Sequence, residues 1–162
     1  MTSDKFLDSS PVTRHLSLTL GILGTSTLFM IYGIGVDLVH IPRMEAVLKR
    51  WGERFISRVF TEREAELCYK RVFPASAFAL RFAAKEAFSK ALGLGMRRGV
   101  RWKDIEVFHY PGGKPGLKVY GKPATICDEK RLTRFHVSLS DDGDYATAMV
   151  LLEESHETGK VL

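Results

Sequence analysis

Between Ile31 and Val39 the chain reads IYGIGVDLV, a short apolar run rich in β-branched residues and interrupted once by a charge, at Asp37. This pattern predicts a core strand with an acid at its end. A carboxylate in such a place is costly unless it is paired. Capping the helix that starts near Pro42 is the plainest use for it. The next stretch, IPRMEAVLKRWGERFISRVF, has Pro42 at a helix start and Met44, Val47, Leu48 and Trp51 at helical spacing. It predicts one helix whose other surfaces carry Arg43, Lys49, Arg50 and Arg54. TEREAELCYKRV opens with Thr61 and Glu64 at the spacing of a capping box, which predicts a second helix.

RFAAKEAFSKALG, Arg81 to Gly93, predicts a third helix of about four turns. Pro74 stands ahead of it and Gly93 is a natural stop. Phe78, Phe82 and the alanines can bury on one side, while Glu86 and Lys90, four residues apart, share another. Glu86 is the only carboxylate of this stretch and has Arg81, Lys85 and Lys90 close by in sequence. A solvated i, i+4 ion pair with Lys90 is the ordinary account of that spacing. Beyond Gly93, glycines and basic residues suggest a loop that admits a phosphate. DIEVFHY and GLKVYG flank PGGKP as a β-hairpin, ATICDEKRL reads as a short helix, and FHVSLSDDGDYATAMVLLE reads as two closing strands around DDGD.

A length of 162 residues with 45% hydrophobic content fits one domain with a sizeable core. The excess of 24 Lys and Arg over 19 Asp and Glu, a net charge of +5, suits acidic partners without choosing among them. Two cysteines, Cys68 and Cys127, with no CxxC pair, indicate neither a disulfide framework nor structural zinc, and a reducing cytoplasmic setting fits best. Residues 1–29 are rich in Ser and Thr and read as an extension, poorly ordered or lying ahead of the native start. From Leu16 to Val36 no residue is charged, but Ser, Thr and Gly interrupt the run and its end is better explained as a strand, so neither a membrane span nor a signal peptide is expected.

Candidate chemistry rests on acids. Asp37, Glu86 and one of Asp141, Asp142 and Asp144 are available, and a magnesium site wants one or two carboxylates together with substrate phosphates. His136 precedes an alternating strand and can face a site or the core. Arg97, Arg98, Arg101 and Lys103 are by default a solvated face, yet they follow the glycine loop, where cations and backbone N–H groups suit a phosphate. Neither GxxxxGK[ST] nor GxGxxG is present, so the common nucleotide-binding motifs are not supported.

IYGIGVDLVHIPRM, RFAAKEAFSKALG and FHVSLSDDGDYATAMVLLE, in this order and at these separations, resemble the three signature blocks of holo-acyl-carrier-protein synthase, the small bacterial 4′-phosphopantetheinyl transferase. The resemblance covers Met30 to Glu154. It implies an α+β fold, an antiparallel sheet packed with helices, in a domain of residues 30–154 followed by a tail of residues 155–162. Enzymes of this kind begin where Met30 stands, which makes that methionine the expected start. The implied reaction transfers 4′-phosphopantetheine from coenzyme A to a serine of apo-acyl carrier protein in fatty acid biosynthesis and releases adenosine 3′,5′-bisphosphate.

Carried to matching positions, the resemblance makes Asp37 and Glu86 ligands of Mg2+, and makes Glu86 and Lys90 the catalytic pair, with Lys90 on the phosphates. Glu86 is then held charged by its basic neighbours and by the metal. Arg81, Lys90, Gly93 and Gly95 fall in the region that binds coenzyme A. Arg43 and Arg50 face the carrier protein, and the assembly is a homotrimer. Asp141 stands where many relatives have a second histidine near the nucleotide phosphates. An acid there repels a 3′-phosphate, and His136 is not taken to replace it. The rivals are a basic nucleic-acid-binding module, which has no need for carboxylates at both Asp37 and Glu86, and a membrane-attached protein using residues 16–36, which would sediment with membranes. No nucleic acid and no membrane are therefore expected as partners.

Overall fold

The computed structural model describes residues 26–95 and 99–158. Its framework is a three-stranded antiparallel sheet with the order β1-β5-β4, formed by β1 (Ser26–His40), β4 (Leu132–Asp142) and β5 (Tyr145–Thr158). β2 (Ile105–His109) and β3 (Pro115–Val119) form a separate hairpin. Between β1 and that hairpin run four helices: α1 (Ile41–Trp51), α2 (Glu53–Val59), α3 (Glu62–Tyr69) and α4 (Pro74–Ala91). A 3₁₀ turn at Trp102–Asp104 leads into β2, and α5 (Gly121–Glu129) joins β3 to β4. The expected α+β architecture is present, with α4 lying across one face of the sheet.

Three boundaries differ from the sequence expectation. β1 starts at Ser26 rather than Ile31, because residues 26–31 pair in register with residues 153–158 of β5. The expected domain limits at Met30 and Glu154 are therefore both crossed by one ladder; residues 1–25 and 159–162, the rest of the expected extension and tail, lie outside the described residues. The helix expected after Pro42 is two helices, because Gly52 sits at φ 47°, ψ −131°, a conformation that breaks the ladder and that only glycine adopts without strain. α4 begins at Pro74, in its first turn, and runs 18 residues. Among the described residues no helix is long and apolar enough to cross a membrane.

α4 is buried nearly all round, which explains why its sequence is so rich in alanine. On its sheet side the contact is backbone to backbone. A Cβ added at Gly33 would strike the carbonyl of Ala91, and one at Gly35 would strike the carbonyl of Ala87 and come within 2.6 Å of the Ala91 amide nitrogen. Phe78 and Phe88 fill the remaining space, with Phe60 edge-on to Phe78 at 4.9 Å and Phe135 of β4 edge-on to Phe88 at 5.8 Å. Gly35→Ala should consequently cost at least about 2 kcal/mol in urea unfolding, since neither backbone can move aside for a methyl group. A change below about 0.5 kcal/mol would show that the helix lies further from the strand.

Candidate active site

Strand alternation places residues 33, 35 and 37 on the same face of β1, so Asp37 emerges where the two glycines have let α4 approach. Its carboxylate accepts a hydrogen bond of 2.8 Å from Lys90 Nζ, which also donates to the carbonyl of Val36 at 2.9 Å. The Asp37 carbonyl in turn accepts from Thr147 Oγ1 of β5 at 2.9 Å. Asp37 does not cap α1; that position is held by His40, three residues on, without a side-chain cap. Its charge is paired across 53 residues of sequence instead.

Glu86, one turn before Lys90 on α4, faces the same place and is half-buried. Burial raises its pKa above the ordinary carboxylate value, the nearby charge of Asp37 raises it further, and Lys90 opposes both. The expected basic surroundings of Glu86 thus reduce to one cation. Of the three, only Lys90 acts on it, because the helix aims the other two elsewhere. Lys85 points into the core, where its ammonium meets Glu64 Oε2 at 2.7 Å and donates to the carbonyls of Trp102 and Ile105. Burial pulls the Lys85 pKa down and Glu64 supports it. Glu64 also closes the capping box with Thr61 and accepts from the Val107 amide at 2.9 Å.

Arg81 lies toward the other end of α4. One guanidinium nitrogen donates to the carbonyl of Ala77 at 3.1 Å, and the side chain lines a cleft of about 870 Å³ between α3, α4, the β2–β3 hairpin and the end of β4. Gly93 and Gly95 form the turn that leaves α4 after Lys90, with their amides on the carbonyls of Lys90 and Ser89 at 3.0 and 3.3 Å. Both have positive φ, and among the described residues nothing lies within 4 Å of the place of either missing Cβ. Of the expected basic loop, Arg97 and Arg98 lie outside the described residues, while Arg101 and Asp104 pair with each other. His136 bonds Glu153 at 3.0 Å on the sheet and takes no part in either site.

The structure thus brings Asp37, Glu86 and Lys90 together and holds Arg81 apart from them. Two carboxylates face one ammonium, and among the described residues no group of three or more metal-ligating side chains occurs. Such a pair does not make a closed protein cage, but it fits a hard cation that keeps water and takes oxygen ligands from a phosphate. Sequence reasoning missed the partners of Arg81. Arg63, Lys70 and Arg71 line the same cleft, and no periodicity marks them, since they belong to a helix surface and a loop that meet α4 only in the folded chain. On α1, Arg43 and Arg50 are exposed, and Arg50 stacks on the ring of Trp51 at 5.0 Å.

Comparison with known proteins bears on the family and the fold. The sequence profile of the family described as the 4′-phosphopantetheinyl transferase superfamily matches residues 33–150. The holo-[acyl-carrier-protein] synthase of Syntrophus aciditrophicus is 48% identical over 124 residues, 76% of this chain and 97% of the relative. The crystal structure of the synthase from Neisseria meningitidis superimposes with a TM-score of 0.72 at 36% identity, covering 77% of this chain and all (100%) of that one. The synthase from Bacillus anthracis, in complex with coenzyme A (3′,5′-ADP), superimposes with a TM-score of 0.64 at 35% identity over 77% of this chain and 98% of its own.

Proposed function

The chain belongs to the 4′-phosphopantetheinyl transferase superfamily and is a phosphopantetheinyl transferase of the holo-[acyl-carrier-protein] synthase kind; from that premise we propose that it moves 4′-phosphopantetheine from coenzyme A to a serine of an apo-acyl carrier protein, with Mg2+, and releases adenosine 3′,5′-bisphosphate. The observation that carries this reading is the convergence of Asp37, Glu86 and Lys90 from β1 and α4. A relative holding coenzyme A supports the co-substrate, and the synthase activity for which the relatives are named supports the acceptor. Supply of carrier protein for fatty acid synthesis is the corresponding role. Two free, buried thiols suit a reducing cytoplasmic compartment.

Asp37 and Glu86 would hold the magnesium ion. The ion would supply neutralisation of pyrophosphate charge there. Lys90 has three N–H donors, and two are engaged by Val36 and Asp37, so one remains for a phosphate oxygen. Its anchoring on the strand carbonyl fixes where that donor points. The carrier serine oxygen bonds to the phosphorus bearing the pantetheine arm, and the bond from that phosphorus to the bridging oxygen breaks. The serine proton leaves to water or to Glu86. Because the residues position and neutralise charge rather than form a covalent intermediate, losing one carboxylate should be severe.

Incubating the protein with labelled coenzyme A, Mg2+ and apo-acyl carrier protein should label the carrier, and Asp37→Asn or Glu86→Gln should each lower the rate by at least about a hundredfold while thermal unfolding stays cooperative. Near-normal rates at saturating magnesium in either variant would remove the carboxylate pair from the chemistry.

Arg43 and Arg50, seven residues apart on α1, project from nearly one face and suit an acidic helix of the carrier protein. Arg43→Glu combined with Arg50→Glu should raise KM for carrier protein at least about tenfold, reduce the salt dependence of the rate and leave coenzyme A affinity unchanged. Equal KM values in wild type and variant would place the carrier elsewhere.

The homotrimer has its own support in the uncovered face of the sheet. Ile34, Val36 and Leu38 are 57%, 53% and 59% exposed, and they pair in register with Leu151, Met149 and Thr147 of β5. An apolar strip of this kind on a free chain is a candidate for burial between copies. Sedimentation of the wild type should give a trimer and Val36→Glu a monomer; a monomeric wild type at micromolar concentration would reject the assembly.

A further inference from the structure

Lys90 has two carboxylates beside it and bonds to one. Glu86 stands one turn before it at the spacing of a helical ion pair, yet the salt bridge that Lys90 makes among the described residues is with Asp37 of β1, at 2.8 Å. The Val36 carbonyl accepts a second N–H at 2.9 Å, so two bonds tie the ammonium to the strand. The Lys90 side chain is 50% exposed and that of Asp37 only 16%. A carboxylate so far withdrawn from water needs a positive partner, and the lysine supplies it.

That pairing sets up a contest. The carboxylate that the transferase reading gives to Mg2+ is the one Lys90 already holds, so a divalent cation taken by Asp37 and Glu86 becomes the close neighbour of an ammonium. Like charges in such proximity repel, and partial shielding from water makes the repulsion stronger than in bulk solvent. Lys90 has no relief within the pair, because Glu86 serves the same metal, and withdrawing also gives up the bond to Val36. A phosphate oxygen supplies the relief. Held by the metal on one side and by the third N–H of Lys90 on the other, such an oxygen sets negative charge between the two cations and lets the lysine stay on the strand.

We propose that Lys90 is a gate on metal entry: its ammonium competes with the divalent cation for Asp37, so that the protein alone holds the metal weakly and metal and coenzyme A bind cooperatively. The inference rests on the transferase reading above but is not contained in it, since the same three residues would serve equally well in an enzyme that loads its metal first. Cooperativity of this kind is reciprocal. Coenzyme A strengthens the hold on the metal by the same factor by which the metal strengthens the hold on coenzyme A. Neutralising residue 90 removes the competitor and leaves both carboxylates to the metal. It therefore raises metal affinity most where no phosphate stands between the charges.

The test titrates Mn2+, as the probe of the divalent site, into the protein alone and into the protein saturated with coenzyme A, reading the free ion by electron paramagnetic resonance and correcting for Mn2+ held by coenzyme A itself. Without coenzyme A, Lys90→Met and Lys90→Gln should each bind Mn2+ at least about fivefold more tightly than the wild type, and with coenzyme A the difference should fall within about twofold. Lys90→Arg keeps the charge and should follow the wild type in the arm without coenzyme A. Mn2+ alone should also raise the Tm of Lys90→Met further than that of the wild type. Unchanged or weaker Mn2+ binding in both neutral variants, or equal tightening with and without coenzyme A, would overturn the gate while leaving the transferase reading in place. Failure of the wild type to bind Mn2+ even with coenzyme A would overturn the metal part of that reading and the gate with it.

Discussion

The close approach of α4 to β1 is the constraint on which the rest of this structure depends. Gly33 and Gly35 leave the strand without side chains where Ala87 and Ala91 present the helix backbone. Strand alternation then does two things at once. On the helix side it delivers residue 37 beside Glu86 and Lys90, so the carboxylate pair is a direct consequence of the glycine pair. On the opposite side it leaves Ile34, Val36 and Leu38 as an apolar strip. The candidate active site and the candidate assembly face are thus the two sides of one strand segment, and a shift of register by one residue would lose both.

α4 is held on its other flank by the Lys85–Glu64 pair, fully buried and joined to the carbonyls of Trp102 and Ile105 and to the Val107 amide. A buried ion pair is weak evidence of net stability, because desolvation offsets much of the attraction. Its geometric effect is plainer: one side-chain pair ties α3, α4, the 3₁₀ turn and β2 together, leaving few rotations of α4 open to it. That setting fixes which cation goes where. Lys85 goes inward, Lys90 to Asp37 and Arg81 to the cleft, although all three lie within ten residues of sequence.

What the sequence made legible follows from how local each feature is. The β2–β3 hairpin, the capping box of α3 and the closing strands rest on short-range patterns, and all are found where those patterns lie. The break at Gly52 was missed because helical spacing continues through it on both sides, and only the positive φ of that glycine ends the helix. The ends of β1 and β5 were placed too far inward because they support each other across more than a hundred residues, beyond the reach of any window. The resemblance named Asp37, Glu86 and Lys90, but composition suggested a Glu86 surrounded by cations. The true distribution was partly readable: Lys85 is seven residues after Phe78 and three before Phe88, which places it on the buried stripe, where a lysine needs a carboxylate.

The two functional ends of α4 carry opposite electrostatic imbalances, and this bears on what kind of molecule lies along it. At Glu86 two carboxylates face one ammonium, and burial first, then the charge of Asp37, raise the proton affinity of Glu86 against the pull of Lys90. In the cleft that Arg81 lines, the described residues include four cationic side chains, Arg81 among them, and one carboxylate. A plain anion would satisfy the second region and be repelled by the first, and a cation alone would do the reverse. A polyphosphate that brings a divalent cation satisfies both, because its metal completes the carboxylate end while its remaining phosphate charge meets the arginines.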